Sequence, residues 1–161
     1  MKMLLAAVCL TAFVTPLAFA ESKIELDAKV QEARSTFAKH TSAGAELAAK
    51  AHGVLVFPSV IKAGFGVGGE YGEGALLIGG KTAGYYNIAA ASIGLQLGAQ
   101  ARSEIILFMT AEALRNFRES QGWKAGVDGS VALATLGAGG SIDTDTAKKP
   151  IIGFIFSGKG L

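Results

Sequence analysis

The glycine-rich segment GFGVGGEYGEG, residues 64–74, contains the spacing G-x-G-x-x-G that cradles the phosphates of dinucleotides in many enzymes. In such a site the third glycine, here Gly69, opens a helix directly after a strand and a tight turn. The residues that follow Gly69 instead lead into Ala75-Leu76-Leu77-Ile78, an apolar run typical of a strand. Glycines along one face of a strand let another backbone or a bulky side chain approach closely. The segment therefore predicts a strand and no dinucleotide site.

A second glycine motif, Gly79-Gly80-Lys81-Thr82, matches the last part of a phosphate-binding P-loop. The complete motif needs a further glycine at position 75, where the chain has Ala75, and a helix after Thr82, where no helical pattern follows. The motif is therefore incomplete at both ends. We expect no nucleotide and no other cofactor.

The groups that could perform catalysis do not assemble into a recognisable site. Ser92 has Ala90 where the G-x-S-x-G motif of serine hydrolases needs a glycine. Glu70 and Glu73 lie at odd spacing, which on a strand directs them to opposite faces. Asp128 could act as an acid or base, but an aspartate beside a glycine at a strand start is typical of a turn. We predict no catalytic residues and a protein that is not an enzyme.

The residue types needed for a metal site or a disulfide are almost absent. The single cysteine, Cys9, lies in the N-terminal segment, and the two histidines, His40 and His52, fall in a region with helical patterns. Removal of that segment excludes disulfides and thiol chemistry. Two histidines alone do not supply the ligands of a zinc site. We predict no bound metal.

Residues 1–20 have the pattern of an export signal. Lys2 precedes an apolar run over residues 3–14, and the sequence Ala-Phe-Ala at residues 18–20 forms a small-x-small cleavage site. The apolar run is too short to remain as a membrane span. We therefore expect a cleaved signal peptide, a single domain over residues 21–161, and a periplasmic or secreted product, peripheral to the membrane if it binds one.

The rest of the chain divides into a helical part and a glycine-rich part. The first, about 22–52, carries apolar residues at helical spacing, such as Leu26 and Val30. The second, about 54–161, alternates with period two, holds all but two of the 22 glycines, and contains one short helix capped by Thr110. We predict an α+β fold, in which a glycine-rich antiparallel β-sheet curls into a barrel-like core, with N-terminal helices and one short helix between strands.

Basic residues recur where strands are expected to begin. If Pro58 ends the first strand, residues 64–72 and 74–79 form a hairpin, and Lys62 and Lys81 fall at the same end of the sheet. When the later strands are followed along the chain with alternating directions, several strand ends and the short helix also fall at that end. The predicted basic rim comprises Lys62, Lys81, Arg115, Arg118, Lys124, Lys148 and Lys149.

A basic rim of this kind suits the anionic headgroups of phospholipids, because each lysine or arginine near a charged membrane contributes up to about 1 kcal/mol. The formal net charge of the whole chain is only +2, so attraction depends on this clustering, and nucleic acid is not an expected partner. Asp143 and Asp145 near the same end dilute the positive charge. The alternative is structural, since lysines at strand ends are solvated and discourage edge pairing.

Several ordered segments resemble the SYLF domain family, over about residues 36–161. The matching segments are residues 57–69 (FPSVIKAGFGVGG), 84–87 (GYYN), 94–100 (GLQLGAQ), 117–118 (FR) and 128–132 (DGSVA). The resemblance implies a lipid-binding module: eukaryotic members bind phosphoinositides and some associate with actin, whereas bacterial members are exported. It also implies a role for an amphipathic helix ahead of the domain, the place that residues 22–39 occupy here.

These observations predict an exported, non-enzymatic module that contacts anionic phospholipid or a membrane surface through the basic rim. One alternative is a periplasmic envelope scaffold or protein-interaction module, and a third class is a hydrolase that uses Asp128. Because an exported protein of bacterial type does not meet actin, we do not expect actin as a partner.

Overall fold

The structure is a computed structural model, and it describes residues 22–65, 67–93, 99–120, 131–136 and 142–157. The elements in these ranges, in chain order, are α1 (Lys23–His40), α2 (Ser42–Lys50), β1 (Gly53–Phe65), β2 (Val67–Ile78), β3 (Lys81–Ile93), β4 (Ala99–Phe108), α3 (Ala111–Glu119), β5 (Val131–Thr135), α4 (Thr144–Ala147) and β6 (Ile151–Phe156).

The strands form one sheet in the order β3-β2-β1-β4-β6-β5. Neighbouring strands from β3 to β6 run antiparallel, and β5 is the exception because it pairs with β6 in parallel. The predicted α+β class and antiparallel sheet are therefore confirmed. Among the described residues the sheet is open, with β3 and β5 at its edges, so it matches a barrel-like core only loosely.

The two N-terminal helices form where local sequence signals predict them. The Ser22 side chain accepts a hydrogen bond from the Glu25 N–H and caps α1, and Thr41 ends α1 and caps α2 in the same way. The apolar stripe of α1 is buried against the sheet, and the Phe37 ring lies 4.9 Å from that of Phe154 on β6. The first helix therefore packs on the core.

Both faces of the sheet carry an apolar core. Val54 and Val56 of β1 face the α1 side, whereas Leu55 and Phe57 face the α3 side. On the α3 side, the Phe117 ring of that helix lies 4.8 Å from the Phe108 ring. Because β1 is central and covered on both faces, its first residues form a continuous apolar run.

β1 continues through Pro58, so the predicted end of the first strand at this residue is wrong. The register of β1 shifts between Val56 and Ser59 against β2, and between Phe57 and Val60 against β4. Proline is tolerated within a sheet at such an irregularity, where it does not have to donate a ladder hydrogen bond. The Ser103 hydroxyl of β4 donates a 2.7 Å hydrogen bond to the Pro58 carbonyl and secures this segment.

Two glycines of β2 make room for the irregular part of β1. A Cβ atom on Gly74 would lie 2.5 Å from the Phe57 ring, and one on Gly72 would lie 2.9 Å from the Ser59 carbonyl oxygen. Both distances are shorter than van der Waals contact. The expectation that strand glycines permit close approach is confirmed at these two positions.

Substitution of Gly74 by alanine tests this packing. We expect Gly74→Ala to lower the free energy of unfolding by about 1–3 kcal/mol, because an overpacked core must shift its backbone or side chains. Urea denaturation measures the change. Gly84→Ala on β3 is the matched control, since the three atoms nearest to its Cβ would all belong to the Tyr86 side chain, at 3.2 Å or more. Equal stability of the two variants would contradict the proposed role of Gly74.

Candidate functional site

The strand register separates two lysines that the sequence pattern predicts to be neighbours. Lys62 on β1 pairs with Glu70 on β2, whereas Lys81 on β3 pairs with Ile78 at the other end of β2. At ~3.3 Å per residue, Glu70 and Ile78 are roughly 26 Å apart along the strand. The predicted placement of Lys62 beside Lys81 is therefore wrong. It fails because β1 runs through Pro58 and pairs with β2 as far as Phe65, so Lys62 lies near the end of β1 and not at the start of a later strand.

The two ends of the sheet can now be defined. The proximal end is where Gly53, Ile78, Phe108 and Ile151 lie, and the distal end is where Phe65 of β1 pairs with Val67 of β2. β1, β3, β5 and β6 begin at the proximal end, and β2 and β4 finish there. The links from α2 to β1, from β2 to β3 and from β4 to α3, together with the residues that lead into β6, therefore lie at the proximal end.

Most of the described members of the basic rim lie at the proximal end. Lys81 opens β3 directly after a turn in which Gly79 and Gly80 have positive φ values of 59° and 78°. Lys148 and Lys149 follow α4 and lead into β6. All three lysines are exposed. The loop before β6 is tied to the end of β4, because the Met109 N–H donates a 2.8 Å hydrogen bond to the Pro150 carbonyl.

Helix α3 adds two further cations at this end. It begins just after β4, and its N-terminus is capped by the Thr110 hydroxyl, which accepts a hydrogen bond from the Ala113 N–H. Phe117 faces the sheet, which leaves Arg115 and Arg118 exposed on the other faces. We call the set Lys81, Arg115, Arg118, Lys148 and Lys149 the proximal cationic surface. Of the other two predicted members, Lys62 lies distally and Lys124 lies outside the described residues.

The sequence pattern missed a basic residue at the same end. Lys50 is exposed in the last turn of α2, immediately before β1. The link from α2 to β1 lies at the proximal end, because the His52 N–H donates a 2.8 Å hydrogen bond to the Phe108 carbonyl. A lysine just before a strand start was the available signal, but Lys50 lies in the helical part of the chain.

Acidic residues share the proximal end, as predicted for Asp143 and Asp145 on and beside α4. The Asp143 side chain accepts a 2.6 Å hydrogen bond from the Thr146 N–H and caps this helix. The backbone and side-chain hydrogen bonds with Thr146 are the main reason that the pKa of Asp143 lies below its usual value. The charge at this end is therefore mixed, and Asp143 is held as an anion.

The first turns of α1 are fixed to the proximal part of β3. Asp27 accepts hydrogen bonds from the Tyr85 hydroxyl at 3.0 Å and from the Thr82 hydroxyl at 3.3 Å. The Lys23 ammonium lies 5.2 Å from the centre of the Tyr85 ring. Burial, followed by the hydrogen bond and charge of Asp27, raises the pKa of Tyr85 above its usual value. These contacts, like the buried stripe of α1, give the helix a packing role.

The distal half of the sheet carries an ion-pair cluster. The Arg102 guanidinium of β4 lies 3.0 Å from a Glu70 oxygen and 2.7 Å from a Glu104 oxygen. Both carboxylate side chains are largely buried, at 15% and 12% exposed. Arg102 therefore forms ion pairs with two carboxylates and is not available as a headgroup ligand. Among the described residues, no group of three or more histidine, cysteine or acidic side chains could hold a metal ion.

Comparison with protein families finds a match to the later part of the chain. Residues 89–161 match the Ysc84 family, described as "Las17-binding protein actin regulator". This match confirms the resemblance to the SYLF domain family over the part of the chain that holds the end of β3 and all later elements. No curated protein matches the chain. In the ranges that the structure describes, no helix has both the length and the apolar character of a transmembrane span.

The Arg102 cluster predicts a loss of stability when its cation is removed. We expect Arg102→Gln to lower the free energy of unfolding by about 1–3 kcal/mol, because two largely buried carboxylates then lose the guanidinium that pairs with both of them. Arg115→Gln, the same change at an exposed position, should have an effect within about 0.5 kcal/mol. Chemical denaturation of both variants measures the difference. If Arg102→Gln left the free energy of unfolding unchanged, the stabilising role assigned to Arg102 would be contradicted.

The contact between Asp27 and Tyr85 predicts a pH effect. The folded protein holds the Tyr85 proton more tightly than the unfolded chain, so the contribution to stability is complete below pH 10.0 and is lost as the pH rises through the folded pKa. NMR of tyrosine Cζ should show that Asp27→Asn lowers the pKa of Tyr85 toward its usual value. An unchanged titration in the variant would show that Asp27 does not act on this hydroxyl.

Proposed function

We propose that this protein is a lipid-binding module that contacts anionic phospholipid headgroups through the proximal cationic surface. The observation that supports the proposal is that exposed cations of three separate chain segments, around Lys81, α3 and Lys148, adjoin strand ends that the register brings to the proximal end. Three elements joined to one rigid sheet can present cations together without ordering a long loop. Association then costs less conformational entropy.

The strength of such a contact is limited by its mixed charge. Each basic residue near an anionic membrane contributes up to about 1 kcal/mol, and nearby carboxylates such as Asp143 oppose it. The expected interaction is therefore peripheral, reversible and sensitive to salt. The Debye length falls from about 30 Å at 0.01 M salt to about 10 Å at 0.1 M, so binding should weaken over this range.

The family match supports this proposal at a coarser level. A Ysc84 or SYLF domain suggests a module that binds lipid or a protein of the actin system. Because the family description includes the words "Las17-binding", binding of a protein partner is the second candidate function. This candidate corresponds to the scaffold or protein-interaction module given as an alternative in the sequence analysis. The expectation that actin is not a partner gains no support from this description. Filamentous actin therefore belongs among the ligands tested.

Export is part of the same proposal. The pattern of residues 1–20, with Lys2, an apolar run and a small-x-small site, supports cleavage before Glu21 and release from the cytoplasm. N-terminal sequencing of the protein from a cell fraction tests this step directly.

Absence of enzymatic activity is likewise a proposal. Asp128, the residue of the hydrolase alternative, lies outside the described residues.

Co-sedimentation with vesicles tests the lipid proposal. We expect the protein to sediment with phosphatidylcholine vesicles that contain phosphatidylglycerol and to remain in solution with phosphatidylcholine alone. The double variant Lys81→Glu and Lys148→Glu should bind at least about tenfold more weakly, because it loses and reverses two contacts of up to about 1 kcal/mol each.

A second double variant, Lys39→Glu and Lys62→Glu, changes the net charge equally and is the matched control. Lys39 is exposed in the last turn of α1, which lies over Phe156, and Lys62 lies distally. The vesicle affinity of this control variant should stay within a factor of about two of the wild-type affinity. Equal losses of vesicle affinity in the two variants would show that net charge alone governs binding. This result would contradict a specific role of the proximal cationic surface. Binding to actin or an envelope protein without vesicle binding would select the second candidate.

A further inference from the structure

The two edges of the described sheet differ in length. β5 forms one edge and has 5 residues, whereas β3 forms the other and has 13. A long edge strand presents a row of N–H and C=O groups to which another strand can pair. Proteins commonly protect such edges by keeping the strand short, as at β5, or by adding charges, prolines or bulges.

β3 has few of these protective features. Its sequence, KTAGYYNIAAASI, contains no proline, and its only charged residue is Lys81 at the first position. The one irregularity in its pairing with β2 lies near Thr82, and the pairing from Gly84 to Ile93 is regular. The contacts of α1 with Thr82 and Tyr85 involve side chains near the beginning of the strand. Within the ranges that the structure describes, most of the β3 backbone edge is therefore suited to further pairing.

We propose that β3 pairs antiparallel with β3 of a second copy of this chain, across a two-fold axis close to Asn87. Asn87 is the middle residue of Lys81–Ile93, so this register pairs the strands along their whole length. A two-fold interface uses the same surface on both copies, which makes it the simplest closed assembly. The pair would join two six-stranded sheets into one continuous sheet.

The distribution of charge favours a second copy in this orientation. An antiparallel pair centred on Asn87 places each Lys81 opposite Ile93 of the other copy, so the two ammonium groups lie roughly 40 Å apart. This distance is far beyond the Debye length of about 8 Å at physiological salt. A parallel pair would place the two lysines on adjacent strands about 4.8 Å apart, where they repel.

The side chain at the axis is self-complementary. Asn87 is exposed, and its amide carries both a donor and an acceptor, so two copies facing each other can exchange hydrogen bonds. Residues directly opposite on antiparallel strands have Cβ atoms about 4.5–5.5 Å apart, within reach of such an exchange. A charged residue at position 87 would lack this property, because it would face a side chain of the same charge on the second copy.

Charge substitution at position 87 tests the interface. In sedimentation-velocity experiments the wild-type protein should form a dimer, and Asn87→Lys and Asn87→Glu should each raise the dimer dissociation constant at least about tenfold at low salt. An equimolar mixture of the two variants should restore dimerisation, because lysine then faces glutamate. Circular dichroism verifies that each variant is folded. A monomeric wild-type protein at about 100 μM, or a mixture that stays monomeric, would overturn the proposal.

Disulfide cross-linking tests the register independently of charge. In a chain with Cys9→Ser, Asn87→Cys should form a covalent dimer on mild oxidation, because opposed Cβ atoms come as close as about 4.5 Å, the upper end of the range that a disulfide spans. Ala101→Cys, also exposed but on β4, is the control and should not cross-link. Equal cross-linking at both positions, or none at position 87, would exclude the proposed axis.

Discussion

The close contact between β1 and β2 around Pro58 is the constraint on which the rest of the structure depends. Glycines at positions 72 and 74 leave room for the irregular segment of β1, and the Ser103 hydroxyl holds the Pro58 carbonyl. β1 therefore continues as a central strand of 13 residues instead of stopping at the proline. Because β1 pairs with both β2 and β4, its course sets the register of the antiparallel part of the sheet.

This register determines where the charges lie. It sends Lys62 to the distal half of the sheet, where Arg102 is already engaged with Glu70 and Glu104, and it leaves Lys81 at the proximal end. Turns, helices and strand connections bring further cations to the same end. The two halves of the sheet thus differ in electrostatic character: the distal arginine is engaged by two carboxylates, whereas the proximal cations are exposed.

Local features of this fold could be predicted from the sequence, and non-local ones could not. The helix α1 follows from the cap at Ser22 and the spacing of Leu26 and Phe37, because caps and apolar stripes act within a few residues. The continuation of β1 depends on glycines and a serine from other strands, so Pro58 alone gave the wrong boundary. The parallel pairing of β5 is non-local in the same way. Five of the predicted rim residues lie toward the proximal end because they flank strand ends or belong to the short helix, whereas Lys62 was misplaced with the predicted hairpin.

The most direct test places a fluorescent probe at position 81 or at position 62 in a chain lacking Cys9, and measures quenching by nitroxide-labelled headgroups in vesicles that contain phosphatidylglycerol. The register places these positions at opposite ends of the sheet. The account predicts strong quenching at position 81 and little at position 62. Quenching at position 62 that equals or exceeds that at position 81 would contradict the assignment of the proximal end as the membrane-facing surface.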